Sequence, residues 1–268
     1  MSETADVPVL ELQNVSRRYG KTLAVDDFSL VVEPGEVIGL VGDNGAGKST
    51  LIKMISGYVS PSSGVIKVMG LKTKFRSPRD ARAVGIETVY QDLAIVDDMA
   101  LWRNFFLGQE LYRKFLGVRL LDVNKMTQIC GEHLDEIGLT SVASPHQTAT
   151  TLSGGERQSL AISRAVYFES RILLLDEPVA ALSVRETRRV FDAIEAAKNK
   201  GLGVLYIDHN MEHVLPVADR IAIMHKGGLR RVVARGELSA EELADAVAQS
   251  GLSDDEEEFD FPGSRRWS

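Results

Sequence analysis

Short runs of apolar residues with no polar break recur along this chain: 37–41 (Val-Ile-Gly-Leu-Val), 172–175 (Ile-Leu-Leu-Leu) and 203–207 (Gly-Val-Leu-Tyr-Ile). Runs of four or five residues are too short for a buried helix and mark strands covered on both faces. In the C-terminal half they alternate with stretches of helical period. The pattern predicts a helix from Ser153 to about Phe168, strand 171–175, helix 184–199, strand 203–207, helix 211–218 and strand 220–225. Such alternation predicts a parallel sheet with crossover helices.

The first third has a different rhythm. Short strands fill 9–40, with turn signals at Tyr19-Gly20-Lys21 and Glu33-Pro34-Gly35. A helix is expected at 49–55, stopped by Gly57, then a turn at 61–64 leading to strand 65–69, and a strand at 86–90. From about 93 to 151 the period becomes helical, over 99–115 and 123–138, with a loop through Pro145. This reads as a helical block inserted in the alternating core. Residues 238–249 form a last amphipathic helix. No internal repeat is visible.

Composition changes this picture little. The chain has 268 residues, 44% hydrophobic and 26% charged, enough for one large domain. Its formal charge of −7 is partly local, because 251–268 carries six acids and two arginines, leaving 29 bases against 32 acids elsewhere. No basic face is advertised for nucleic acid. The acidic, Pro-Gly-Ser-containing tail reads as disordered. A single cysteine, Cys130, excludes an intrachain disulfide and a cysteine zinc site, and reads as a small packing residue. The polar, acidic start lacks signal-peptide architecture, and no stretch approaches the roughly 20 apolar residues that span a bilayer.

Three motifs carry chemistry. Gly42-Asp-Asn-Gly-Ala-Gly-Lys-Ser-Thr50 fits the phosphate-loop pattern between a strand and a helix. Gly42, Gly45 and Gly47 let backbone N–H groups close around phosphate, with Asn44 and Ala46 between them and Thr50 just beyond. Lys48 should reach the β- and γ-phosphates, and Ser49 should bind Mg²⁺. The strand 172–176 delivers Asp176 and Glu177 to its carboxyl end, where α/β sheets place ligands. Two adjacent side chains on a strand point oppositely, so these acids need not do the same job. Leu152-Ser-Gly-Gly-Glu-Arg-Gln158 offers the Ser153 hydroxyl and the N–H groups of Gly154 and Gly155 at a helix start. Ser153 and Glu156 also fit a capping box, which does not account for two consecutive glycines.

In this order the motifs resemble the ATP-binding-cassette (ABC) ATPases, over roughly 8–235. The resemblance implies an α/β fold: a P-loop NTPase (RecA-like) core, an N-terminal antiparallel β subdomain and an inserted α-helical subdomain. A single domain at 8–250 is expected, with the helical part at about 93–160. The resemblance makes Asp176 the Mg²⁺-holding acid, Glu177 the general base, and Ser153, Gly154 and Gly155 the peptide that contacts the γ-phosphate of ATP in an opposing subunit. By position Gln91 matches the family's glutamine that touches Mg²⁺ or water. His209 matches the switch histidine on the γ-phosphate, and Tyr19 the aromatic that stacks on adenine. Where the family usually has an aspartate six residues after the base, this chain has Ser183.

The segments 77–81, 85–92, 106–110 and 180–183 resemble the ATPases of simple-sugar importers of the ribose, xylose and fructose type. The implied protein is a peripheral subunit on the cytoplasmic face of the membrane. Its implied partners are a second cassette (a homodimer or a paralogue), polytopic permease subunits and a separate extracytoplasmic binding protein. The alternative is a soluble non-transport ATPase acting on nucleic acid or ribosomes. Leu93, Ile95, Val96, Met99, Leu101 and Trp102 are apolar in a segment that opens as a loop. About half should pack the insertion, and the others, with Trp102 as anchor, should form a groove for a permease helix.

Overall fold

A computed structural model describes residues 7–90, 95–115, 117–136, 144–180 and 182–249. Two sheets share one core. The smaller is antiparallel, in the order β2-β1-β4-β5, with β1 at Leu10–Tyr19, β2 at Thr22–Val32, β4 at Ser63–Val68 and β5 at Leu71–Thr73. The larger has six strands in the order β12-β11-β3-β10-β9-β6. These are β3 (Val37–Val41), β6 (Ile86–Val89), β9 (Ile172–Asp176), β10 (Gly203–Ile207), β11 (Arg220–His225) and β12 (Gly228–Ala234). β11, β3, β10, β9 and β6 run parallel; β12 pairs antiparallel to β11 at the edge.

The apolar runs are explained by burial on both sides. Ile38, Leu40, Ile172, Leu174, Leu205 and Ile207 face the small sheet and helix α1 (Lys48–Ile55). Their alternate neighbours Val37, Val41, Leu173, Leu175, Val204 and Tyr206 face the opposite layer. That layer is built from α5 (Gly154–Tyr167), α6 (Val184–Asn199), the short α7 (Met211–Val214) and α8 (Ala240–Gln249). Gly39 is the exception that lets the layers approach: a Cβ there would lie 2.2 Å from Val214 Cγ1. A third cluster holds the inserted block together. α3 (Leu101–Phe106) and α4 (Val123–Glu136) pack on the start of α5 through Phe105, Phe106, Met126, Leu134 and Leu160. Cys130 lies inside it, its thiol pushed up to about 12 by burial. α2 (Pro78–Ala83) is capped by Ser77, which accepts from the Asp80 N–H.

The alternating strands and helices stand where the apolar pattern put them, but α2, β5 and β12 have no counterpart in that pattern, and three further expectations change. The helix expected at 99–115 stops at Phe106. Gly108 turns the chain with φ +79°, and an antiparallel hairpin follows, β7 (Tyr112–Phe115) and β8 (Val118–Leu121). The helix expected at 211–218 ends after one turn, because Pro216 has no N–H to continue it. Trp102 is 5% exposed within the third cluster, so it is a core residue of the inserted block and not a surface anchor. Leu101 is buried as well, while Val96 remains exposed; Leu93 falls outside the described residues. Among the described residues no helix is long and apolar enough to cross a membrane.

Candidate functional site

Three adjacent parallel strands, β3, β10 and β9, deliver the candidate residues to one edge. The loop after β3 is shaped by glycine. At Gly42 a Cβ would lie 2.2 Å from the Met224 carbonyl oxygen, and at Gly47 (φ +109°) 2.3 Å from that of Ala24. Neither position accepts a side chain without the loop opening. Gly45 has φ +88° and nothing near it, so its freedom is needed for conformation alone. Ala46 N–H closes the loop onto the Asp43 carbonyl, and Gly227 N–H bonds the Ala46 carbonyl from β11–β12. Lys48 is buried and lies back along the loop, its Nζ donating to the carbonyls of Gly42 (2.5 Å) and Asp43 (3.0 Å). Burial lowers its pKa, opposed by Glu177, Asp43, Asp176 and Asp208. Asn44, Ser49 and Thr50 complete the segment, with Asn44 and Ser49 open to solvent.

The acids meet this lysine from β9. Burial raises the pKa of Asp176; the charge of Glu177 raises it further, and Lys48 opposes. Glu177 does not continue the strand. Its φ is +48°, and its N–H bonds the Ile207 carbonyl of β10 at 2.8 Å. Strand alternation therefore does not govern where its carboxylate goes. The Glu177 Oε1 lies 2.9 Å from His209 Nδ1, which stands just past β10. Among the described residues no group of three or more His, Cys, Asp or Glu forms a metal cage. The donors near the loop, the Ser49 hydroxyl and the Asp176 carboxylate, are oxygens that suit a hard cation completed by water and phosphate.

One residue of this edge was missed in the sequence. Asp208 is 1% exposed. It accepts from Asn210 N–H (2.9 Å) and Tyr206 Oη (3.3 Å), lies 3.1 Å from His213 Nδ1 and 3.5 Å from His209 Nδ1. An acid directly after a buried run was the available signal, the same one that picks out Asp176.

The signature peptide, the motif at Leu152 to Gln158, belongs to another group of contacts. Ser153 caps α5 in a complete capping box with Glu156. Ser183 caps α6 the same way with Glu186. The two boxes are joined. Glu156 pairs with Arg189 of α6 at 2.8 Å, and hydrogen bonds from Ser183, then Ser153 and Gly155, hold the Glu186 carboxyl down to about 2. The consecutive glycines have a packing reason, since Cβ atoms at Gly154 and Gly155 would lie 2.7 Å from Leu182 Cδ2 and Glu186 Cβ. Arg157 ties the peptide to Asp97 at 2.6 Å. These bonds run to α6 and the inserted block, not to the phosphate loop. Tyr19, at the end of β1, is 43% exposed under the Arg17 guanidinium. Gln91 lies outside the described residues.

Comparison with known proteins agrees with this architecture. A family profile described as ABC transporter matches residues 25–180. The xylose/arabinose import ATP-binding protein XylG of Sulfolobus acidocaldarius is 41% identical over 91% of this chain and 95% of its own. The fructose import ATP-binding protein FrcA of Rhizobium meliloti is 44% identical over 85% of this chain and 89% of its own. A solved nucleotide-free ATP-binding cassette from an ABC transporter superposes with a TM-score of 0.74 at 22% identity, covering 92% of this chain and 98% of its own.

Proposed function

The chain belongs to the ABC transporter ATP-binding family, and on that premise we propose that it is the ATP-hydrolysing subunit of a membrane importer for a simple sugar. The observation that carries the reading is the 2.9 Å contact of Glu177 with His209 at the edge where Lys48 spans the phosphate loop. A base and a γ-phosphate sensor are then in register beside the triphosphate.

In this reading the loop from Gly42 to Thr50, with Asn44, Gly45, Ala46, Gly47 and Ser49, encloses the phosphates of ATP, and Tyr19 stacks on adenine. Lys48 leaves the Gly42 and Asp43 carbonyls for the β- and γ-phosphates. Glu177 orients the attacking water and takes its proton; His209 donates to the γ-phosphate and holds the Glu177 carboxylate. Mg²⁺, held by Ser49 and Asp176, supplies charge neutralisation, and Gln91 keeps the role its place in the sequence implies. Ser153, Gly154 and Gly155 close on the γ-phosphate of a second cassette, so a complete site needs two chains.

The domain occupies 8–250, with 251–268 as a tail. The partners are a second cassette, polytopic permease subunits at the cytoplasmic face and a separate binding protein. The family reading leaves nothing in favour of a ribosome- or nucleic-acid-directed ATPase. Glu177→Gln should lower turnover by about 10²–10⁴ with ATP affinity kept, and should run as an ATP-dependent dimer on gel filtration. Co-purification of the wild type from membranes with a polytopic protein, and sugar uptake lost with Glu177→Gln, would support import. Turnover near wild type in that variant would overturn the assignment of the base.

A further inference from the structure

The hairpin β7–β8 stands out from the body. Its root is held, with Asp122 N–H on the Leu111 carbonyl and Leu111 N–H against Met126 Sδ of α4. Beyond the root, all eight strand residues are exposed. The stretch 111–121 holds Arg113, Lys114 and Arg119 and no acid, in a chain whose net charge is −7.

The register orders these residues by distance from the turn. The end rung is Phe115 opposite Val118, 57% and 58% exposed. Behind it Lys114 faces Arg119, then Arg113 faces Leu120 and Tyr112 faces Leu121. Like charges directly opposite each other destabilise a ladder, and Arg119 relieves this only in part by lying 4.6 Å over the Tyr112 ring. An isolated two-stranded hairpin is marginal by itself. Opposed cations and an exposed apolar tip thus weigh against the fold of the free chain.

We propose that this hairpin is an anionic-membrane contact: Phe115 and Val118 enter the boundary between headgroups and acyl chains, and Lys114, Arg119 and Arg113 bind lipid phosphates just behind them. Cross-strand partners share a face, so apolar groups lie on both faces, Tyr112 and Leu121 on one and Phe115, Val118 and Leu120 on the other. A protein groove or a second copy would cover one face or one edge. A lipid interface surrounds the tip. The cationic rung follows one residue step behind the tip, about 3.4 Å, which matches phosphates lying just outside the apolar boundary. Screening over about 10 Å lets a local basic rung act despite the acidic whole.

The test is flotation of the full purified chain with phosphatidylcholine vesicles, with and without phosphatidylglycerol. It contains no permease, so it stands apart from the import reading. The wild type should float with the phosphatidylglycerol vesicles alone, and less so at high salt. Lys114→Glu with Arg119→Glu should weaken partitioning roughly tenfold or more, since each cation near such a surface contributes about fivefold. Phe115→Ser with Val118→Ser should weaken it as well. ATP turnover and the melting temperature should hold, because none of these side chains enters a core. In Val118→Trp, fluorescence should shift to the blue and be quenched by brominated lipid. Equal binding to phosphatidylcholine alone, or binding unchanged by charge reversal, would overturn the proposal. So would charge reversal that converts a dimer to a monomer with no vesicle binding in the wild type, which would make the hairpin a contact between copies.

Discussion

Glu177 owes its placement to one backbone angle. With φ at +48° the chain leaves β9, and the carboxylate reaches His209 instead of alternating with Asp176. Such a conformation costs a non-glycine residue about 1–3 kcal/mol, and it persists at sites where the surroundings impose it; here the Glu177 N–H is fixed on the Ile207 carbonyl. Lys48 makes the complementary statement, a buried cation that donates to two loop carbonyls. Removing a charge-assisted contact worth about 1.5–3 kcal/mol, Lys48→Ala should weaken ATP binding by roughly 10- to 150-fold, measured by calorimetry with a non-hydrolysable analogue. Asp208 tests the support behind the edge. Asp208→Ala leaves the Asn210 N–H without its acceptor inside the fold and should cost about 1–3 kcal/mol of stability, seen as a lowered melting temperature.

Helices α5 and α6 behave as one piece because each caps itself and reaches the other. Gly155→Ala weighs two effects against each other. Alanine gains up to about 1 kcal/mol of helix propensity, less in a first turn. Its Cβ would stand 2.7 Å from Glu186 Cβ and 3.0 Å from Glu186 Cα, so α6 must move, at about 1–3 kcal/mol. The clash should win, giving a lower melting temperature together with lost turnover. Glu186 adds a pH signature. Its carboxyl is held from an ordinary 4.5 down to about 2, so it favours the folded state above about 4.5, and that contribution is lost as pH falls toward about 2. Glu186→Gln should flatten this part of the acid limb of the stability curve, followed by urea unfolding at successive pH values. A limb unchanged in shape would mean that the hydrogen bonds of Glu186, those from Ser183 first, are not made in solution.

The signature peptide and the phosphate loop sit in separate sets of contacts of one chain, which is the arrangement a shared site requires. Lys48→Ala and Ser153→Arg chains should each be inactive. Mixed, they should regain part of the turnover, because one of the two sites in the mixed dimer carries neither change. Full activity of Ser153→Arg alone would end the two-chain reading.

The buried strands, their order along the chain and the phosphate loop were legible because each rests on local chemistry. An apolar run of five has no other satisfactory place than between two layers, and Gly42, Gly45 and Gly47 announce a backbone that no other residue adopts there. The early stop of α3 and the hairpin after it were not legible by helical period. Residues 112–121 read as moderately apolar in either period, and Gly108 acts only through the turn it makes. Pro216, by contrast, was a local signal available and unused. What tertiary structure alone decided was contact between distant segments: Glu177 with His209, the joined caps of Ser153 and Ser183, and Trp102 turned inward. Each depends on where two chain segments cross, and no pattern of neighbouring residues encodes a crossing. The same reason separates the glycines of the signature from those of the loop: Gly154 and Gly155 make room for Leu182 and Glu186, Gly42 and Gly47 for the carbonyls of Met224 and Ala24, and only the neighbours that packing brings to them tell the two sets apart.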